Sequence, residues 1–101
     1  MKLKIIPEVE TVEENKTEFE SLYNVIIHND DVTPMGFVVH ILTSIFLLPN
    51  INAGQVMLTS HIRGTAYVQT LPKPEAFKRI NSAHFSAALK NFPLHFSMEP
   101  E

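Results

Sequence analysis

The charged side chains of this 101-residue chain are concentrated near its N-terminus, and this limits where a folded core can form. Residues 1–20 contain six glutamates and three lysines, a net charge of −3, whereas residues 21–101 contain equal numbers of acidic and basic side chains. The few apolar residues of the first segment keep no regular period, so it cannot bury enough apolar surface to fold. We therefore expect a flexible acidic extension over residues 1–20 and one domain over residues 21–101.

Composition excludes several classes of protein. The net charge of −3 disfavours nonspecific binding to nucleic acid, and a chain without cysteine has no disulfide framework, thiol nucleophile or cysteine zinc site. The longest apolar stretch, residues 36–48, is interrupted by polar residues and ends before Pro49, well short of the roughly 20 residues that cross a bilayer. The first residues do not form a secretory or transit peptide. We expect a cytoplasmic protein that needs no cofactor.

The surface of the domain over residues 21–101 is sparsely charged. It has five acidic and five basic side chains, so uncharged and apolar area must reach solvent. Such a surface is typical of a module that docks on partners. A neutral domain of modest solubility fits the composition equally well.

Proline, glycine and turn-forming residues divide the domain into six elements. A β-branched and aromatic run predicts a central first strand, and Thr33-Pro34 predicts a helix start in which the threonine hydroxyl caps the first turn. Asn50 or Asn52 is expected to cap the second helix, and Gly64 to end it. The predicted elements are strand 22–28, helix 34–46, helix 53–63, strand 65–71, helix 74–91 and strand 94–98. Their order predicts an α+β sandwich, a small three-stranded antiparallel sheet packed against three helices.

The apolar residues of the helices indicate which faces are buried. The first helix is apolar around most of its circumference, with a narrow polar stripe at Gly36, His40 and Thr43. Its second apolar side either lines a groove or packs in the core. The third helix is expected to bury a stripe with a period near 3.6, formed by Ala76, Phe77, Ile80, Ala83, His84, Ala87 and Ala88.

The junction between the first strand and the first helix is the candidate binding site. Asn29, Asp30 and Asp31 supply more hydrogen-bond acceptors than a helix cap needs. An excess of acceptors suits a primary ammonium group, whose three N–H donors need two or three acceptors around them. The alternative is a solvated turn with a redundant cap.

Residues of the second helix extend this site if that helix packs beside the turn. His61 lies on the same face as Met57, and a neutral imidazole can accept a further hydrogen bond from an ammonium group. Met35, Val38 and Met57 would then form flexible apolar walls. Without that packing, His61 is an ordinary surface or packed histidine and the other three residues belong to the core.

Catalytic and metal sites are weakly indicated. Ser60, His61 and Asp30 are the residue types of a hydrolase triad, but successive helical residues point about 100° apart, and no nucleophile elbow surrounds the serine. We expect no catalytic residues. His28 and Asp30 project from one side of a strand and, with His61, are a possible set of transition-metal ligands, although such spacing is weakly specific.

Two blocks of the sequence resemble the ClpS family, the bacterial adaptors of the ATP-dependent Clp protease. They are residues 23–38, YNVIIHNDDVTPMGFV, and residues 57–64, MLTSHIRG, and the spacing between them agrees without a gap. The resemblance extends over residues 22–98. It implies the ClpS-like fold and a non-catalytic function: recognition of N-degrons, substrates whose first residue is leucine, phenylalanine, tyrosine or tryptophan. It also implies delivery of these substrates to a Clp unfoldase of the ClpA or ClpC type.

The same resemblance assigns residues to these roles. It implies that Asn29, Asp30 and His61 hold the free α-amino group of the substrate, and that Met35 shapes the pocket entrance and disfavours β-branched first residues. The acidic extension resembles the segment that follows substrate into the unfoldase, and the adaptor is expected to be a monomer. The implied pocket residues are Thr33, Met35, Val38, Met57, Ser60 and Leu94, and the implied ATPase-docking residues are Glu75 and Arg79.

Some positions depart from the family pattern. Ser60 replaces an apolar residue, often valine, so that a pocket wall becomes smaller and polar. Gly36 and Gly54 stand where helix formers are common, and Pro74-Glu75 alters the region that docks the ATPase. The alternative function is therefore a divergent interaction module of the same fold that binds another ligand, or a metal through His28, Asp30 and His61.

Overall fold

The computed structural model describes residues 21–101, and the acidic extension expected over residues 1–20 lies outside the described residues. The six elements follow in the predicted order, and three of them form one antiparallel sheet of order β2-β1-β3. Their bounds are β1 (Leu22–His28), α1 (Met35–Ser44), α2 (Asn50–Arg63), β2 (Thr65–Pro72), α3 (Lys73–Leu89) and β3 (His95–Pro100). The predicted α+β fold and the central place of the first strand are confirmed.

Strand β1 is the centre of the sheet because it pairs on both edges. Ile27 lies between Ala66 of β2 and Phe96 of β3, and all three are buried. The register with β2 shifts between Val25 and Ile26, so that β2 contains one extra residue, a β-bulge. Cross-strand partners share a face of the sheet, and the bulge therefore places the side chain of Gln69 on the same face as the buried Val25.

The bulge connects the sheet to the helices through Gln69. Its Nε2 donates a hydrogen bond of 3.0 Å to the carbonyl of Phe46, and its Oε1 accepts one of 3.1 Å from Arg79. One polar side chain thus links β2, the end of α1 and α3.

The core lies between the sheet and the helices. Its two largest side chains, Phe46 and Phe96, are 0% and 1% exposed, and their ring centroids are 4.8 Å apart. Helix α3 packs through small side chains at helical spacing, which allows it to approach the sheet closely. The buried residues of α3 are Ala76, Ile80, Ala83 and Ala87. The prediction that Phe77 and Ala88 are buried is wrong, since both are exposed, and His84 is half-buried.

The predicted caps of α1 and α2 are wrong. Helix α1 begins at Met35 with Pro34 as N-cap, and no side chain caps it, because the hydroxyl of Thr33 donates to Asp30 instead. Helix α2 begins at Asn50, three residues before the predicted start, so neither Asn50 nor Asn52 is its cap. Pro49 precedes α2 with an extended backbone, and its carbonyl accepts from the N–H of Ala53. Residues 50–52, which were expected to precede the helix, therefore form the first turn of α2.

A residue with a positive φ follows the end of each helix. Gly64 ends α2 as predicted, with a φ of 92° that favours glycine, and its N–H donates to the carbonyl of Ser60. Leu47 and Asn91 also have a positive φ, and α1 and α3 end before them, at Ser44 and Leu89 rather than near Phe46 and Asn91 as predicted. Strand β3 extends to Pro100, two residues beyond the predicted end.

His84 joins α3 to the edge strand β3. The N–H of Phe96 donates a 2.9 Å hydrogen bond to Nε2 of His84, which must therefore be unprotonated. The ring of His95 stacks on that of His84, with centroids 5.3 Å apart. Burial, and next the neighbouring His95, lower the pKa of His84.

No helix in residues 21–101 is long and apolar enough to cross a membrane.

The two buried phenylalanines, Phe46 and Phe96, give a stability prediction. Phe96→Ala should lower the free energy of unfolding by about 3–5 kcal/mol, because it removes a fully buried ring from a packed core. Phe85→Ala is the matched control, since Phe85 on α3 is 66% exposed, and it should change stability by less than about 0.5 kcal/mol. Urea denaturation measures both values. Equal losses in the two variants would contradict this account of the core.

His84 gives a prediction about pH. Its lowered pKa means that the unfolded chain binds the proton more tightly, so stability should fall as the pH drops through the ordinary histidine range near 6.5. His84→Gln should flatten this part of the profile. His40→Gln, which alters an exposed histidine of α1, should leave it unchanged. Denaturation midpoints between pH 8 and pH 5 test the difference, and equal profiles for the parent chain and His84→Gln would contradict it.

Candidate functional site

The turn after β1 is organised by the carboxylate of Asp30. Its Oδ1 accepts hydrogen bonds from the N–H groups of Val32 and Thr33, at 2.8 and 2.6 Å. Its Oδ2 accepts a third bond, of 2.8 Å, from the hydroxyl of Thr33. The side chain therefore folds the chain back on itself before α1 begins.

These bonds keep Asp30 ionised. Burial would raise its pKa, but the bonds from the backbone and hydroxyl of Thr33 and from the backbone of Val32 outweigh burial and lower it. An ionised carboxylate has about four acceptor positions, of which the turn uses three. One position and the negative charge remain for a ligand.

The C-terminal end of α2 is fixed beside this turn by a backbone hydrogen bond. The N–H of Asn29 donates to the carbonyl of Gly64 at 2.9 Å. His61 lies three residues before Gly64, in the last turn of α2, and is thereby brought to the Asn29-Asp30 turn. The packing on which a role for His61 depended is present.

A cavity of about 290 Å³ lies between the turn, α1 and α2. It is lined by all nine residues that the family resemblance assigned to amine binding or to the pocket, namely Asn29, Asp30, Thr33, Met35, Val38, Met57, Ser60, His61 and Leu94. The groove interpretation of the apolar helix α1 is therefore correct for the side formed by Met35 and Val38. Asp31, which the turn motif had also placed in the candidate site, lines it as well. Four further lining residues were not assigned to the pocket, although all are neighbours of the turn in sequence: Ile27, His28, Val32 and Pro34.

The mouth of this cavity is polar, and its inner wall is apolar except for Ser60. Asn29 and His61 are exposed, so their polar atoms stand at the mouth with the carboxylate of Asp30. The inner wall is formed by Ile27, Val38, Ser60 and Leu94, which are between 1% and 7% exposed. The arrangement suits a small group that carries a cationic donor at one end and an apolar body at the other.

The alternative metal and hydrolase sites are not supported. His28 and the hydroxyl of Ser97 share a hydrogen bond of 2.7 Å, and the ring of His28 lies 5.0 Å from that of His95. Within residues 21–101 no three histidine, aspartate or glutamate side chains form a group that could hold a metal. The hydroxyl of Ser60 donates to the carbonyl of Met57, at 2.8 Å, so it is engaged with its own helix.

Glu75 and Arg79 lie outside the cavity and form an ion pair on α3. The Nε of Arg79 donates to Oε2 of Glu75 at 2.7 Å, and this bond is the main reason why the pKa of Glu75 is lowered. The Nη1 of Arg79 also donates to Gln69 and, at 3.4 Å, to the carbonyl of Phe46. Much of the guanidinium is therefore used within the domain, and its role in docking a partner stays a prediction.

The family model and the similar known proteins point to one family. The model of the family "ATP-dependent Clp protease adaptor protein ClpS" matches residues 18–97. ATP-dependent Clp protease adapter protein ClpS 2 of Mesorhizobium japonicum is 38% identical over 100 residues, which are 95% of this chain and 99% of the relative. ClpS 1 of Rhodopseudomonas palustris is 40% identical over 85% of this chain and 84% of the relative.

A solved structure has the same fold. It is Agrobacterium tumefaciens ClpS2 bound to L-phenylalaninamide, with a TM-score of 0.78 and 34% sequence identity. The match covers 81% of this chain and 99% of the solved chain. The ligand of that relative has a free amino group and an aromatic side chain on one carbon atom.

Proposed function

Because the chain belongs to the ClpS family of Clp protease adaptors, we propose that it binds proteins through their N-terminal residue and delivers them to a Clp unfoldase. The family is one of adaptors, so the chain is a non-catalytic partner of the Clp protease. The observation that carries the proposal is one cavity with an acceptor-rich mouth and an apolar inner wall.

The mouth would recognise the free α-amino group. Only the first residue of a protein has a primary ammonium group beside a side chain on the same carbon atom. Asn29 and His61 would each accept one of its N–H bonds, and Asp30 would supply its remaining acceptor position and its charge. Three N–H donors would then have three acceptors.

The inner wall would recognise a bulky apolar side chain, that of leucine, phenylalanine, tyrosine or tryptophan. Burial of such a side chain against Val38, Met57 and Leu94 contributes about 1.5–3 kcal/mol. Met35 is 44% exposed and lines the entrance, where it would disfavour first residues branched at Cβ. The phenylalaninamide carried by the Agrobacterium relative is a ligand of this chemical type.

Delivery of substrates requires a second partner, a Clp unfoldase. We place this chain in the cytoplasm as a monomer that docks on the N-terminal domain of a ClpA- or ClpC-type unfoldase through the region of Glu75 and Arg79. The acidic residues 1–20 would follow substrate into the unfoldase.

Peptide binding tests recognition. A peptide with a free N-terminal phenylalanine or leucine should bind, and its N-acetylated twin should bind at least tenfold more weakly, since acetylation removes the charge and each acceptor left unpaired costs about 1–3 kcal/mol. Fluorescence anisotropy with labelled peptides measures both affinities. Equal affinities for the twins, or binding of neither, would refute the proposed function.

A variant of His61 tests its proposed contact with the amino group. His61→Ala should weaken the free peptide by about tenfold to a hundredfold, the loss of one hydrogen bond to a charged group. His40→Ala, at an exposed position on α1 that does not line the cavity, is the matched control and should bind as the parent chain does. Asp30→Ala is a less specific test of the amine contact, because it also removes three hydrogen bonds that fold the turn.

A variant of α3 tests the docking region. Arg79→Gln should weaken binding to the isolated N-terminal domain of a ClpA- or ClpC-type unfoldase by about two- to fivefold, the size expected for a partly exposed charge. Lys90→Gln removes a cation beyond the other end of α3 and should leave this affinity unchanged. Isothermal titration at low and high salt measures the effect. An equal loss in both variants, or none in Arg79→Gln, would contradict a docking role for Arg79.

A further inference from the structure

Ser60 is the one buried polar residue in the part of the chain that the structure describes, residues 21–101. It is 3% exposed and lies on α2 between two other residues that line the cavity, Met57 and His61. Its hydroxyl proton is used in the 2.8 Å bond to the carbonyl of Met57. A buried polar group in a wall that binds an apolar side chain needs an explanation.

Ser60 lines this wall, and its hydroxyl oxygen accepts no hydrogen bond within residues 21–101. A hydroxyl has two lone pairs, and neither is consumed when it donates its proton. The other buried residues that line the cavity, Ile27, Val38 and Leu94, have only apolar side chains. A donor that reaches the inner wall therefore finds its side-chain acceptor at Ser60.

We propose that Ser60 makes the cavity selective for a first residue that combines an aromatic ring with a hydrogen-bond donor, and that tyrosine is the preferred one. This inference rests on the proposed function. With the α-amino group held at the mouth, the phenol hydroxyl is the part of the side chain farthest from it and enters the buried end. Leucine and phenylalanine have no donor to offer there.

The sign of the preference depends on the acceptor. In a wholly apolar pocket tyrosine would bind more weakly than phenylalanine, because its hydroxyl would be buried without a partner. With Ser60 present, the hydrogen bond should make tyrosine bind about two- to tenfold more tightly than phenylalanine. The order of the two affinities therefore distinguishes a polar wall from an apolar one.

The test uses the whole chain and two peptides that differ only in their first residue, tyrosine or phenylalanine. In Ser60→Ala the order should reverse, so that phenylalanine binds more tightly than tyrosine, while the affinity for phenylalanine changes by less than about twofold. Ser60→Thr retains a hydroxyl and should keep the preference for tyrosine. Thr59→Ala, at an exposed neighbouring position on α2, is the matched control and should match the parent chain.

The outcomes separate this inference from the function on which it rests. If the parent chain binds phenylalanine as tightly as tyrosine, or if the ratio of affinities is the same in Ser60→Ala, the role of Ser60 is refuted while binding that requires a free amine still supports the adaptor. If the N-acetylated twins bind as well as the free peptides, the function itself fails. If Ser60→Ala does not fold, the ratio of the tyrosine and phenylalanine affinities in the parent chain is the test of the inference.

Discussion

The hydrogen bond from the N–H of Asn29 to the carbonyl of Gly64 is the contact on which the site depends. It joins the end of the central strand to the end of α2, two points that are 35 residues apart in sequence. Gly64 can occupy this position because its φ of 92° suits a residue without a Cβ. Gly64 also ends α2, directly after the helical turn that contains His61. The backbone conformation of Gly64 therefore determines both where α2 ends and where its last side chains lie.

A second polar link holds the other helices without entering the site. The bulge in β2 places Gln69 between the carbonyl of Phe46 and the guanidinium of Arg79, and Arg79 is held in turn by Glu75. This network ties α3 and the end of α1 to β2. Neither Gln69 nor Arg79 lines the cavity. One set of polar side chains therefore fixes the scaffold, and the acceptors at the mouth of the cavity take no part in it.

The sequence predicts those features that depend on neighbouring residues. Strand β1 follows from its β-branched run and the end of α2 from Gly64, both local signals. The cap of α1 could not be predicted in this way. Threonine is a favourable cap residue, but the hydroxyl of Thr33 donates its hydrogen bond to the carboxylate of Asp30 instead of to the helix. Helix α3 likewise exposes Phe77, because packing against the sheet uses the small side chains on the neighbouring face. The residues that line the cavity could be named from the sequence because the motif of the turn and that of α2 are each local, whereas their meeting depends on a contact between distant residues.

The three acceptors at the mouth are not equivalent. Asp30 uses three of its acceptor positions in the turn, so its main contribution to the proposed ammonium ligand would be charge, which acts without an ideal geometry. Direction would then have to come from the amide oxygen of Asn29 and a ring nitrogen of His61. In the proposed function one residue would attract the cation and the other two would orient it, so a ligand with a positive charge alone would be attracted but not aligned. Alignment would matter because it would direct the side chain on the same carbon atom toward Val38, Leu94 and Ser60 on the inner wall.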